Sequence, residues 1–152
     1  MNDSITIKGS YRLQIIKDGV CISDETVNNL VTNAGKAQLA LLCGDSSAVP
    51  FTYLAVGTSS TAVAVTDTTL NAEIVDTGLA RASATISRTT TTVTNDTYQA
   101  VYTWTASGSK TVEEIGVLTA SSGGVLLSHA LTTSKSLTNG AQLVATYTLK
   151  FS

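Results

Sequence analysis

His129 is the only imidazole in the chain, so proton transfer near neutral pH would have to pass through it. It sits in the run Val125-Leu126-Leu127-Ser128-His129-Ala130-Leu131. That run has the length of a strand and lacks the glycine-flanked serine turn of a hydrolase nucleophile. A strand histidine with a satisfied hydrogen bond fits it best. Glu113 and Glu114 are adjacent acids, but neighbours on a strand point to opposite faces and cannot act together on one glycosidic bond. One is expected to face solvent and the other to meet a Lys or Arg, within the chain or on a neighbour. Asp67, Asp76 and Asp96 lie among Thr and Asn residues, without the converging oxygens or the EF-hand spacing that calcium needs. Cys21 and Cys43 form no Cys-x-x-Cys pair. Two reduced, partly buried thiols are expected, with a disulfide, or a metal site joined by His129, as the alternatives. No glycine opens a helix as a phosphate-cradling loop would, while Gly116, inside a strand, points to close backbone approach. No enzyme activity, cofactor or metal is predicted.

Tyr98, Tyr102, Trp104 and Tyr147 could stack on bases or sugars. A single-stranded nucleic-acid platform also needs a positive groove, and Arg81 and Arg88 are too few to make one. Core or subunit-interface aromatics are expected instead. Nine basic and eleven acidic residues, scattered along the chain, leave a net charge of −2. Neither a nucleic-acid nor a membrane surface is predicted. From the polar start and the short apolar runs, no targeting or membrane-spanning segment is expected.

These residues must be positioned by strands. Thr and Ser make up more than a quarter of the 152 residues, only 13% are charged, and mean hydropathy is +0.21. Thr suits a pleated, half-buried surface. Residues 5–16 alternate, with Ile5, Ile7, Tyr11, Leu13 and Ile15 on one face. Lys17-Asp18-Gly19 then supplies the positive φ of a tight hairpin, predicting a β-hairpin over about 4–25. Asn33 is a candidate N-cap and Gly44 a left-handed stop for one short α-helix near 34–43. Its apolar side would be Ala34, Ala37 and Leu41, with Leu42 beside it. Strands are expected at 51–56, 80–88, 97–106, 112–118, 125–131 and 143–151, with 70–74 a strand or a helical turn. In 97–106, Tyr98, Ala100, Tyr102, Trp104 and Ala106 share a face; in 143–151, Leu143, Ala145, Tyr147, Leu149 and Phe151 do. Seven to nine strands and one helix predict a mainly β chain, 1–152 as a single domain, folded as an antiparallel, jelly-roll-like β-sandwich.

The order of short motifs resembles small virion proteins of tailed bacteriophages. It runs Tyr11-Arg12-Leu13, Lys17-Asp18-Gly19, Asn29-Leu30-Val31-Thr32-Asn33-Ala34-Gly35, Tyr53-Leu54-Ala55-Val56-Gly57-Thr58, Leu70-Asn71-Ala72-Glu73, Arg81, Glu113-Glu114-Ile115-Gly116-Val117-Leu118 and Asn139-Gly140. The middle and end also resemble the attachment domain of phage tail-collar fibre proteins. The resemblance implies a β-sandwich building block without enzyme activity. A chain that stops at Ser152, with no shaft or tip, is more like a capsid decoration (cement) protein than a fibre. It would be a homo-oligomer, expected as a trimer, bound to the major capsid protein or other virion proteins and assembled in the host bacterial cytoplasm. A tail, neck or baseplate component is the alternative, and a carbohydrate- or receptor-binding β module a further one.

Partner contacts are expected at three exposed places: the N-terminal hairpin (Tyr11, Arg12), the 58–67 loop (Thr58, Asp67) and the 89–95 stretch. The last, with Arg88, Thr90, Thr92 and Asn95, reads as a flexible hairpin arm that could augment a neighbour's sheet.

Overall fold

A computed structural model describes residues 4–152; the polar start, 1–3, lies outside them. Its elements are β1 (Ile7–Lys17), β2 (Val20–Asn28), β3 (Leu30–Val31), α1 (Asn33–Leu42), β4 (Tyr53–Gly57), β5 (Ala82–Ser83), β6 (Thr85–Thr89), β7 (Thr97–Thr105), β8 (Lys110–Leu118), β9 (Leu126–Leu137) and β10 (Gln142–Phe151). The chain is mainly β with one short helix, as expected. The strands form two antiparallel sheets, in the orders β2-β1-β10-β7-β6 and β3-β9-β8-β4-β5.

The hairpin at the start forms on its turn signal. Asp18 and Gly19 both take positive φ, 51° and 77°, the pair of left-handed residues that matches the twist of the flanking strands. β2 runs on to Asn28, beyond the expected end, because it stays paired with β1 as far as Ser10↔Asn28. The alternation in 5–16 places Tyr11, Leu13 and Ile15 in the core. β10 does the same with Leu143, Ala145, Tyr147 and Leu149, and its neighbours are β1 and β7. From the other sheet, Leu54, Val56, Ile115, Val117 and Leu127 join the same core cluster.

Several elements differ from what the alternation predicts. Residues 80–88 are not one strand: β5 pairs with β4 in the second sheet, and β6 pairs with β7 in the first. The chain changes sheet around Ala84, whose N–H still bonds the carbonyl of Thr52 at 2.8 Å. Residues 70–74 form no strand, only a bridge between Gly57 and Glu73. β9 continues through the polar 132–137 because that stretch pairs with the start of β8. β3, unforeseen, brings the described strands to ten.

The helix forms where predicted, but its details differ. Thr32, not Asn33, is the N-cap, its hydroxyl accepting the N–H of Gly35 at 2.9 Å. The helix ends in a right-handed Cys43, and Gly44 is not left-handed. Its buried side is Gly35 with Leu39 behind it, whereas Ala37, Leu41 and Leu42 are exposed. The reason is the close approach to β9: a Cβ on Gly35 would lie 2.4 Å from the Leu127 carbonyl oxygen. Cys21 and Cys43 are both free thiols, and exposed rather than partly buried.

Candidate functional site

Two features stand out, a sealed polar cluster and an open apolar groove. The cluster is centred on His129 of β9, which is fully buried. Its Nδ1 lies 2.8 Å from Asp67 Oδ2 and its Nε2 2.7 Å from Glu114 Oε2. Gly116 stands across from His129 on β8, and Leu30 on β3. The absence of a side chain at Gly116 leaves room there. An added Cβ would meet Leu70 and Leu126 side chains and the Ser128 carbonyl at 3.1 Å or closer, the close approach its place in a strand suggested.

Glu114 is also fully buried. It meets the histidine instead of the expected Lys or Arg, and it accepts the N–H groups of Asn71 and Ala72 at 3.0 and 2.7 Å. Gly57 makes space for it: a Cβ there would fall 2.2 Å from Glu114 Oε1. Glu113 points the other way and accepts the hydroxyl of Ser134. Burial pushes the Glu114 pKa up, but the His129 contact and the two backbone donors outweigh it and leave the carboxyl below its ordinary value. Asp67 is likewise lowered, burial being overcome by the Ala64 N–H and by His129. Burial pulls His129 down, but the bonds and charges of Glu114 and Asp67 prevail and raise it. An imidazole with a carboxylate at each nitrogen is satisfied as the doubly protonated cation. Both nitrogens are taken and neither faces solvent, so this cluster holds a proton and has no free lone pair to take one from a bound molecule.

The groove lies beside the helix, where Leu39 and Leu42 of α1 face Phe51, Ile86 of β6, Tyr98 of β7 and Phe151 of β10. It encloses about 570 Å³. Several large apolar side chains stay in water at or next to it: Leu42 is 37% exposed, Ile86 40%, Phe151 37% and Leu41 49%. Arg88 lines its edge.

The eight residues expected at an interface are not brought together. Tyr11 is wholly buried and its hydroxyl bonds Ser128 Oγ at 2.6 Å. Its place on the inward face of β1 was legible in the alternation and rules out a surface role. Arg12 is exposed and forks onto Asp24 at 2.9 and 2.6 Å. Thr58 is exposed, while Asp67 turns inward to His129. Arg88, Thr90, Thr92 and Asn95 are exposed, but 89–95 is no loose arm. The Asp96 carboxylate gathers it into a tight turn, accepting the N–H groups of Thr91, Thr92 and Val93 at 2.8, 2.8 and 2.9 Å. Of the four aromatics, Trp104 and Tyr147 are core, with Trp104 only 2% exposed; Tyr98 and Tyr102 are half-buried. The groove is not legible in the sequence because its walls come from six separate stretches. The one available signal was Leu41-Leu42, two leucines at a helix end whose packing side is fixed elsewhere.

No family model, curated protein or solved structure matches this chain.

Proposed function

We propose that this chain is a non-enzymatic structural protein of a tailed-phage virion, a capsid decoration (cement) protein that acts as a homo-oligomer, expected as a trimer, on the major capsid protein. The observation that carries the reading is the apolar groove and its exposed Leu42, Ile86 and Phe151. Contiguous apolar surface of this kind loses water on association and marks a contact face. The sealed His129 supports the non-catalytic part, since it is the chain's only imidazole. The resemblance in the order of motifs supports the phage assignment. Two sheets contributing to one core cluster support the β-sandwich expected of such a block; the jelly-roll-like order rests on the resemblance alone. Many weak, symmetric contacts would sum to firm attachment.

A carbohydrate- or receptor-binding module is the weaker reading. Sugar stacking needs an exposed aromatic face; Trp104, Tyr11 and Tyr147 are inside, Tyr98 and Tyr102 are half-buried, and Phe151 stands among the aliphatic side chains of the groove.

The test is binding of the purified protein to expanded heads that lack it, alongside Leu42→Asp and Ile86→Asp. Each substitution is expected to weaken binding about thirtyfold or more, as for the centre of an interface, with the urea midpoint nearly unchanged because both sites are exposed. Wild-type protein that does not bind heads overturns the capsid reading. Copy number in purified virions then separates the alternatives: hundreds of copies place it on the head, and roughly six to twelve place it in the tail, neck or baseplate.

A further inference from the structure

The segment 58–81 between β4 and β5 has no strand of its own, and its two halves are held differently. The second half is fixed by buried Leu70, Ile74 and Leu79 and by the fork of Arg81 on Glu73, at 2.9 and 2.6 Å. Its backbone also pairs: Thr58 N–H with the Ala72 carbonyl, and Ile74 N–H with that of Val56, both at 2.9 Å. The first half, 59–69, is mostly exposed and buries no large side chain. Among the described residues, two long-range polar contacts tie it down: Asn33 N–H to the Val65 carbonyl at 2.8 Å, and Asp67 to His129.

We propose that Asp67, His129 and Glu114 form a proton-operated latch on the 59–69 arm, closed while His129 is cationic and opened when it becomes neutral. The latch stands on this geometry and holds whatever the chain binds. As a cation, His129 donates to both carboxylates. As a neutral ring it can donate to only one, and its other nitrogen then presents a lone pair to an oxygen less than 3 Å away. Glu114 cannot leave. It is fully buried and retains the N–H groups of Asn71 and Ala72. Asp67 can: its side chain is 18% exposed, on a segment with little else to hold it. The neutral ring therefore keeps Glu114 and releases Asp67 to water. Among the described residues, no further charged group contacts His129 to replace the lost charge. Glu114 from β8 and Asp67 from the arm are the ionisable groups facing His129; Gly116 and Leu30 stand across on β8 and β3. Lys36 of α1 makes no ion pair with any of the three among the described residues.

A single histidine makes the test direct, because the chain gives one imidazole signal to follow by NMR. Backbone hydrogen exchange, expressed as protection relative to the unstructured chain, is measured across that titration. Protection of 59–69 is expected to fall about ten- to a hundredfold as His129 loses its proton, the effect of losing one charge-assisted hydrogen bond. Protection of 70–81 is expected to change less than about twofold. Two variants separate a latch from a merely structural cluster. His129→Gln, whose N–H groups share one nitrogen and whose other end is an acceptor oxygen, cannot donate to both carboxylates and should leave the arm open at every pH. Asp67→Asn should keep it closed through the alkaline range, because its amide donates to the neutral ring. Arm protection that does not follow the His129 titration overturns the proposal. So does an Asp67→Asn arm that opens as wild type does, a result that stands even if His129→Gln fails to fold.

Discussion

Arg81 ties two other stretches of chain, at Glu73 and at 120–123, to its own. Its guanidinium forks onto Glu73, and one of its nitrogens also donates to the carbonyls of Ala120 and Gly123 at 2.9 and 2.8 Å. The side chain is buried, so these groups have little water to fall back on. Removing one partner of such a pair leaves the other stranded. Arg81→Met is expected to cost about 3 kcal/mol in urea unfolding. Arg81→Lys should recover under half of that, because an ammonium cannot fork onto a carboxylate and still reach two carbonyls. Full stability in the Lys variant would show that charge alone matters here. At this scale the sequence was informative about state and silent about partners. That His129 would be satisfied was readable from its apolar run; that Asp67 and Glu114 satisfy it was not, since they lie 62 and 15 residues away. Asp96 as the organiser of 89–95 was readable in principle, because an acid after a run of Thr can collect the backbone N–H groups of its own turn.

Among the elements, α1 separates what propensity decides from what packing decides. Ala, Lys, Gln and Leu made the helix legible over 34–43, and the observed bounds are one residue earlier. The face was not legible, because Gly35 reads as a weak point in a helix and is in fact the contact. An alanine in its place should favour the isolated helix by about 1 kcal/mol. In the folded protein its Cβ would meet Leu127 backbone atoms at 2.4 to 2.9 Å, and backbone cannot swing aside as a side chain can. Gly35→Ala is therefore expected to destabilise by about 1–3 kcal/mol net, read from the shift in urea midpoint. A stabilised Gly35→Ala variant would mean that α1 is not docked on β9 as described. The strands follow the same division. Strict alternation gave the inward faces of β1, β7 and β10. The switch of sheet at Ala84 has no alternation signal, since 82–86 stays extended across it. The second half of β9 was missed because Thr132 to Ser136 are polar. One of them, Lys135, is nevertheless buried, and its ammonium meets Glu25 of β2 at 2.5 Å.

For the whole molecule, these ionisable groups fix how stability varies with pH. Glu114, Asp67 and Glu25 all sit below their ordinary values, burial being outweighed by hydrogen bonds to His129, to backbone and to Lys135. A lowered carboxyl adds stability that is present above its unfolded value, about 4, and is lost as pH falls through the folded value. His129 has the opposite sign. Its contribution is complete below about pH 6.5 and is lost as pH rises through its raised folded value. Burial also raises the hydroxyls of Tyr11, Tyr98 and Tyr147, disfavouring the phenolate in the folded state. Their contribution is lost only above about pH 10. Urea midpoints measured from pH 3 to 11 are thus expected to form a plateau ending just above 6.5. Below about pH 4 there should be a fall. On the alkaline side the decline should come in two stages, His129 first and the tyrosines second. His129→Gln should lower the plateau and erase the first alkaline stage, leaving the second in place. A wild-type midpoint that stays level until the tyrosines ionise would mean that His129 is neutral in the folded protein, and the account of its two carboxylate bonds would fail with it.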